Sequence, residues 1–112
     1  MASAYTRLLR ARPLTSATTP DTSEAFDAGG YRVLCIQTRV LSAGSAGTLK
    51  LQHAAVNEDS AYKDLTTFTA VNLNATANDF QEVTSFLRFI RWVTGTAPTG
   101  NPSAVIDVVA KE

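Results

Sequence analysis

The stretch Thr48-Leu49-Lys50-Leu51-Gln52-His53-Ala54 places Leu49 and Leu51 on one face and Thr48, Lys50 and Gln52 on the other. Successive side chains of an extended chain point to opposite sides, so this alternation predicts a β-strand with one face in the core and one in water. Upstream, Tyr31-Arg32-Val33-Leu34-Cys35-Ile36-Gln37-Thr38-Arg39-Val40-Leu41 has the same period of two. Val33, Cys35 and Tyr31 point one way and Arg32, Leu34 and Ile36 the other, which predicts a strand buried on both faces over its middle. Between the two, Ser42-Ala43-Gly44-Ser45-Ala46-Gly47 is a turn of small residues whose glycines allow positive φ.

Working outward, residues 57–64 form a polar loop, and Thr66-Thr67-Phe68-Thr69-Ala70-Val71 is rich in β-branched residues and reads as a strand with Phe68 and Leu65 inward. Residues 72–79 hold three Asn and read as a loop, because Asn and Asp tolerate left-handed backbone. Residues 80–84 and 87–93 give two more strands; in the second, Leu87, Phe89 and, after a shift, Trp92 point inward while Arg88 and Ile90 point away. Residues 95–103, with two Gly and two Pro, form a long turn, and residues 104–110 a closing strand. With a short strand at Phe26 and another near residues 8–14, the count is seven or eight at regular spacing. No window sustains apolar residues at helical intervals. The fold class is all-β, a single antiparallel β-sandwich of Greek-key or jelly-roll type.

The chain has 112 residues, 10 Lys+Arg against 10 Asp+Glu, one His and one Cys. This is one domain, large enough to bury a core without disulfide or metal. Zero net charge gives no long-range attraction to nucleic acid or anionic lipid and suits a part that lives in an assembly. No run reaches the roughly 18 apolar residues of a membrane span. The lone Cys35 has no internal disulfide partner.

Residues 1–21 are basic and rich in Ser, Thr and Ala. They read as an extended N-terminal arm that docks on a neighbouring subunit, set apart from a sandwich domain at residues 22–112, or else as an organellar transit peptide or a disordered tail. In the arm reading, Leu8, Leu9 and Leu14 bury apolar surface on the neighbour and Arg7, Arg10 and Arg12 meet acidic rims. Deleting residues 1–20 would then spare folding and weaken assembly.

No residue pattern carries catalysis. His53 and Cys35 are the available imidazole and thiol, and nothing in the spacing joins them. His53 reads as a hydrogen-bonded histidine at a strand end and Cys35 as a small core residue. Asn57, Glu58, Asp59 and Asp64 supply hard oxygen donors without the alternating register of a calcium loop, so they read as a solvated loop with Tyr62 against the sandwich edge. No cofactor and no metal is expected. Arg88 and Arg91 beside Phe89 and Trp92 read as an outward strand face paired with Glu82 or Asp107 rather than as a nucleic-acid surface.

Gly29-Gly30-Tyr31 opening a long strand, then Gly47-Thr48-Leu49-Lys50-Leu51-Gln52-His53-Ala54, resembles a group of small phage and prophage structural proteins with a "GTL-x-hydrophobic-QHS" strand. Tyr62-Lys63-Asp64-Leu65 matches their "W/Y-x-DL" turn, and Leu87-Arg88-Phe89-Ile90-Arg91-Trp92 their "RYIR/RFIR" strand, before a Gly/Pro/Thr turn and a closing strand. Ala54 stands where the group often has Ser. The resemblance implies a non-enzymatic virion component: a capsid decoration or auxiliary protein, or a head–tail piece, built on a β-sandwich. Its implied partners are other copies of itself and major capsid or other virion proteins, without specific nucleic acid or membrane, in a virion assembled in the host cytoplasm. The alternative is a jelly-roll module holding carbohydrate or another small ligand on Tyr62, Trp92 and Tyr31.

Overall fold

The computed structural model describes residues 3–15 and 25–112. Two antiparallel sheets face each other across one core. The strands in chain order are β1 (Ser3–Leu9), β2 (Phe26–Asp27), β3 (Val33–Ser42), β4 (Thr48–Ala54), β5 (Lys63–Asp64), β6 (Val71–Asn72), β7 (Ala77–Val83), β8 (Phe89–Thr94) and β9 (Ser103–Lys111), with a 3-10 turn at Asp59–Ala61. One sheet runs β1-β9-β3-β7; the other runs β2-β8-β4-β5, with β6 also on β4. The pairings nest: β1 with β9, β2 with β8, β3 with β7, and β4 with β5. The all-β sandwich expected from the period of two is therefore the fold.

The alternation of β4 sends Leu49 and Leu51 into the core, both fully buried. Across the sandwich, β3 contributes Leu34, Ile36 and Val40, and β9 contributes Ala104, Ile106, Val108 and Ala110. Phe68 and Leu65 are buried as expected, but residues 66–70 form a turn closed by the Phe68 N–H donating to the Leu65 carbonyl at 3.1 Å. The β-branched residues there lose their strand to that turn, and pairing resumes only at β6.

Gly47 sits at φ 129°, where a Cβ would lie 2.8 Å from Pro98 Cα. Only glycine lets the chain into β4 pass this close to the 95–103 loop.

Three expectations are corrected. First, the division between an arm and a sandwich does not hold for the described part of residues 1–21. Ser3–Leu9 is an edge strand paired with the C-terminal strand from Ser3↔Lys111 to Leu9↔Ile106. Leu8, Leu9 and Leu14 are buried in the chain's own core, and the Leu14 N–H donates to the Pro102 carbonyl at 2.8 Å. Residues 16–21 lie outside the described residues. Second, the strand at residues 87–93 needs no shift: Trp92 is buried as expected, but Ile90, expected outward, is fully buried with it, while Phe89 is half-buried and Leu87 is exposed. Third, β3 buries one face only. Leu34, Ile36 and Thr38 point inward, while Cys35 is half-buried on the outer face.

Candidate interaction surface

The outer face of the four-stranded sheet is built from the alternate positions that the core does not take. Register puts Tyr5, Val109, Cys35 and Glu82 in one row across β1, β9, β3 and β7, and Arg7, Asp107, Gln37 and Phe80 in the next. Tyr5 is 60%, Phe80 65% and Val109 36% exposed. Tyr5, Cys35, Gln37, Phe80, Asp107 and Val109 line a shallow depression of about 390 Å³. Apolar side chains on an outer strand face forgo burial that the core offers, so their grouping around one depression makes this face the candidate site.

One carboxylate organises this face. Asp107 accepts from Tyr5 Oη at 2.7 Å and from Arg7 Nε at 2.8 Å, and Arg39 reaches its other oxygen at 3.4 Å. Partial burial pushes the Asp107 carboxyl up, but the bonds from Arg7 and Tyr5 and the charges of Arg7 and Arg39 outweigh it, leaving the group below its ordinary range. Of the residues assigned to the arm, Arg7 thus holds β1 to β9 within the chain. Arg10 is exposed, and the Arg12 guanidinium carbon sits 5.1 Å from the Trp92 ring centroid.

The other sheet presents a polar outer face. Lys50 Nζ lies 2.7 Å from Asp64 Oδ2, Gln52 Nε2 donates to Asp64 Oδ1 at 3.1 Å, and Arg91 donates to Gln52 Oε1 at 3.0 Å and to Asp59 Oδ1 at 2.9 Å. The Arg91 guanidinium lies 4.0 Å from the Tyr62 ring centroid, and Tyr62 Oη donates to Asn57 at 2.8 Å. The acidic loop 57–64 is therefore tied to basic side chains of the sheet, and among the described residues no three His, Cys, Asp or Glu side chains cluster for a metal.

Arg88 pairs with Asp27, with Nη2 2.9 Å from Oδ2. That bond, with the Gly29 N–H, holds the Asp27 carboxyl down at about 2. The arginine partners expected from sequence, Glu82 and Asp107, are corrected to Asp27 for Arg88 and Asp59 for Arg91, because those side chains share the five-stranded sheet or its loops. Asp107 lies in the opposite sheet.

His53 and Cys35 sit on different sheets. His53 Nδ1 accepts the Leu87 N–H at 3.1 Å. Its pKa is lowered by burial and then by the charge of Lys63 across β5. The ligand-binding alternative is left without its central aromatic, because Trp92 is fully buried. Tyr31 stacks on Phe26 with centroids 6.5 Å apart, and Tyr62 is covered by Arg91.

Sequence reasoning missed Tyr5, Phe80 and Val109. The signal was present for Phe80, where register with β3 makes it outward, but only the pairing of β7 reveals that parity.

No family profile and no curated protein matches the chain. Among solved structures, the crystal structure of the SPBc2 prophage-derived protein YomS matches with a TM-score of 0.57 and 17% sequence identity, covering 96% of this chain and 93% of that one. The chain shares that protein's fold over nearly its whole length.

Proposed function

We propose that this chain is a non-enzymatic structural protein of a phage particle, a capsid decoration or auxiliary protein or a head–tail component, acting by association with copies of itself and with major capsid or other virion proteins. The observation that carries the reading is the outer face of the four-stranded sheet. Tyr5, Phe80 and Val109 stand exposed around one depression, although the core inside is complete. A lone soluble domain gains nothing from such a face, whereas an assembling one buries it. The full-length likeness to a prophage-derived protein supports the phage setting. The nested strand pairing supports a jelly roll, an architecture found in capsid proteins. The particle is assembled in the host cytoplasm, with no specific nucleic acid or membrane as partner and no cofactor.

The test is quantitative mass spectrometry of the chain across a density gradient of the particle fraction. Co-sedimentation with the major shell protein at a fixed copy ratio is the expected result. A chain confined to the soluble fractions overturns the reading.

A further inference from the structure

The edges of the two sheets are unequal. β7 ends its sheet among the described residues and pairs with β3 from Leu34↔Val83 to Val40↔Ala77 without a register shift. It holds no Pro, Gly, Lys or Arg, the residues that commonly blunt a strand edge. By contrast β1 shifts register between Arg7 and Leu9, and β2, β5 and β6 have two residues each. We infer that the free edge of β7 pairs antiparallel with β7 of a second copy, Phe80 against Phe80, joining the two four-stranded sheets into one. The inference deepens the proposed association between copies and rests on that reading; it adds the edge and the register.

The ladder fixes which backbone groups reach that edge. The Leu14 N–H donates to the Pro102 carbonyl beside the Pro13↔Ser103 bridge, so even-numbered residues of β9 turn their backbone groups toward β1. Odd-numbered ones turn toward β3, in keeping with the Arg32 N–H donating to the Lys111 carbonyl at 2.8 Å. Register pairs odd with odd between β9 and β3, which leaves the even residues of β3 to meet the odd residues of β7. Asn78, Phe80 and Glu82 therefore hold their N–H and C=O groups out at the free edge.

Two such edges pair only with even residues opposite even ones. A two-fold axis at Phe80 sets Phe80 against Phe80 and Asn78 against Glu82 on both sides, so each of these N–H and C=O groups finds a partner and every contact occurs twice. A slip of two residues sets Glu82 against Thr76, or Asn78 against Thr84, and both threonines lie outside β7.

The side chains agree with this register. On the outer face the exposed Phe80 rings form a cross-strand aromatic pair. Asn78 Oδ1 already accepts from Gln37 Nε2 at 2.9 Å, which leaves the Asn78 Nδ2 hydrogens to donate to Glu82 of the second copy. Within one chain Glu82 stands opposite Cys35; across the axis its row continues through Asn78 to Arg39, a cation. On the inner face Ala77 meets Val83, and Asp79 meets Gln81. Gln81 Nε2 is engaged in its own chain, donating to Asp79 at 2.9 Å and to the Thr69 carbonyl at 2.8 Å, so this pair adds no bond. The two Asp79 residues are diagonal neighbours, roughly 7–8 Å apart at the backbone. Beneath β7 a cleft of about 510 Å³ runs along residues 69–75, and its Asn72 and Asn74 amides can donate to the incoming Asp79.

The experiment is sedimentation equilibrium of the full chain over a wide concentration range, with copper-phenanthroline oxidation of single-cysteine variants in a Cys35→Ser background. The wild type is expected to dimerise reversibly. Phe80→Lys replaces the aromatic pair by two facing cations and is expected to weaken the dimer by at least about tenfold. Val56→Asp, exposed in the loop after β4, is expected to leave it unchanged. Phe80→Cys is expected to crosslink to itself, because hydrogen-bonded partners have Cα atoms about 5.5 Å apart, inside the range of a disulfide. Asn78→Cys, whose two copies lie roughly 13 Å apart along the strands, and Tyr5→Cys on the β1 edge are expected to stay uncrosslinked. Phe80 is 65% exposed, so its variants leave the fold intact.

A wild type that stays monomeric at high concentration, a dimer unmoved by Phe80→Lys, or crosslinking through Asn78→Cys or Tyr5→Cys in place of Phe80→Cys overturns the inference. Particle association separates the two readings. A monomer that still joins particles sinks the edge pairing alone, and an edge-paired dimer absent from particles sinks the structural-protein reading alone.

Discussion

Arg7 of the first strand and Asp107 of the last, 100 residues apart in the chain, close the four-stranded sheet with Nε 2.8 Å and Nη2 3.3 Å from the two carboxylate oxygens. The contact places β1 as the final strand of the sandwich, and it sits within the face proposed to associate.

Asp107→Asn is expected to lower stability by about 1 kcal/mol in urea denaturation, because a charge-assisted bond becomes neutral at a site where Arg7 is still half exposed to screening solvent. The native carboxyl lies below its ordinary value, so the unfolded state binds its proton first as pH falls. The stabilisation is full above the ordinary carboxylate range and is lost as pH falls through the native value. The Asn variant should therefore show a shallower loss of stability in acid than the wild type; parallel curves would show that Asp107 contributes nothing through its charge.

The Thr38 hydroxyl is buried on the inner face of β3 with no hydrogen-bond partner among the described residues. A buried unpaired hydroxyl has lost water without compensation. Thr38→Val keeps the branched shape and the strand preference, and is expected to stabilise the fold by about 1 kcal/mol. Differential scanning calorimetry checks it: a lowered melting temperature would mean the hydroxyl is satisfied in solution.

What the sequence made legible follows from where its alternation is unambiguous. In β4 the inward positions are Leu and the outward ones Thr, Lys and Gln, so face and burial are both readable. In β8 and the residues that lead into it apolar side chains fall on both parities, with Leu87 and Phe89 on one and Ile90 and Trp92 on the other. Which set goes inward is decided by pairing with β4, where Trp92 stands opposite buried Leu51. The same ambiguity made Cys35 read as a core residue, since Val33 and Cys35 are nearly as apolar as Leu34 and Ile36 on the opposite parity. The strand nature of residues 3–9 was hidden because its partner is at the other end of the chain. The candidate face depended on that pairing, so Tyr5 and Val109 could not be joined to Phe80 before the sheet order was known.

His53 gives a second pH effect, in a different range. Its Nδ1 holds the Leu87 N–H only when unprotonated, and the native pKa lies below the ordinary 6.5. The unfolded chain therefore takes up a proton before the native one does. Stability is full above the ordinary value and falls as pH drops below it, levelling once native His53 is protonated too. His53→Gln is expected to retain an acceptor and to flatten stability between about pH 8 and pH 5. An unchanged slope in chemical denaturation across that range would assign the effect elsewhere.

The buried leucines at the N-terminus predict the outcome of truncation. Leu8, Leu9 and Leu14 are at most 4% exposed and belong to the same core as Trp92. Replacing one such leucine by alanine costs about 2–5 kcal/mol, so Leu9→Ala is expected to lose about 3 kcal/mol in urea denaturation. Removing residues 1–14 takes out all three and strips β9 of one neighbour, leaving Ile106 and Val108 under a vacant edge. The summed loss approaches or exceeds the roughly 5–15 kcal/mol that a domain holds in total. Truncation is therefore expected to abolish the cooperative melt, not merely to weaken assembly as a dispensable arm would. Circular dichroism and amide dispersion of the 15–112 chain measure this directly. A truncated chain that melts cooperatively at the wild-type temperature would mean that β1 adds nothing to the fold and is free to pair elsewhere.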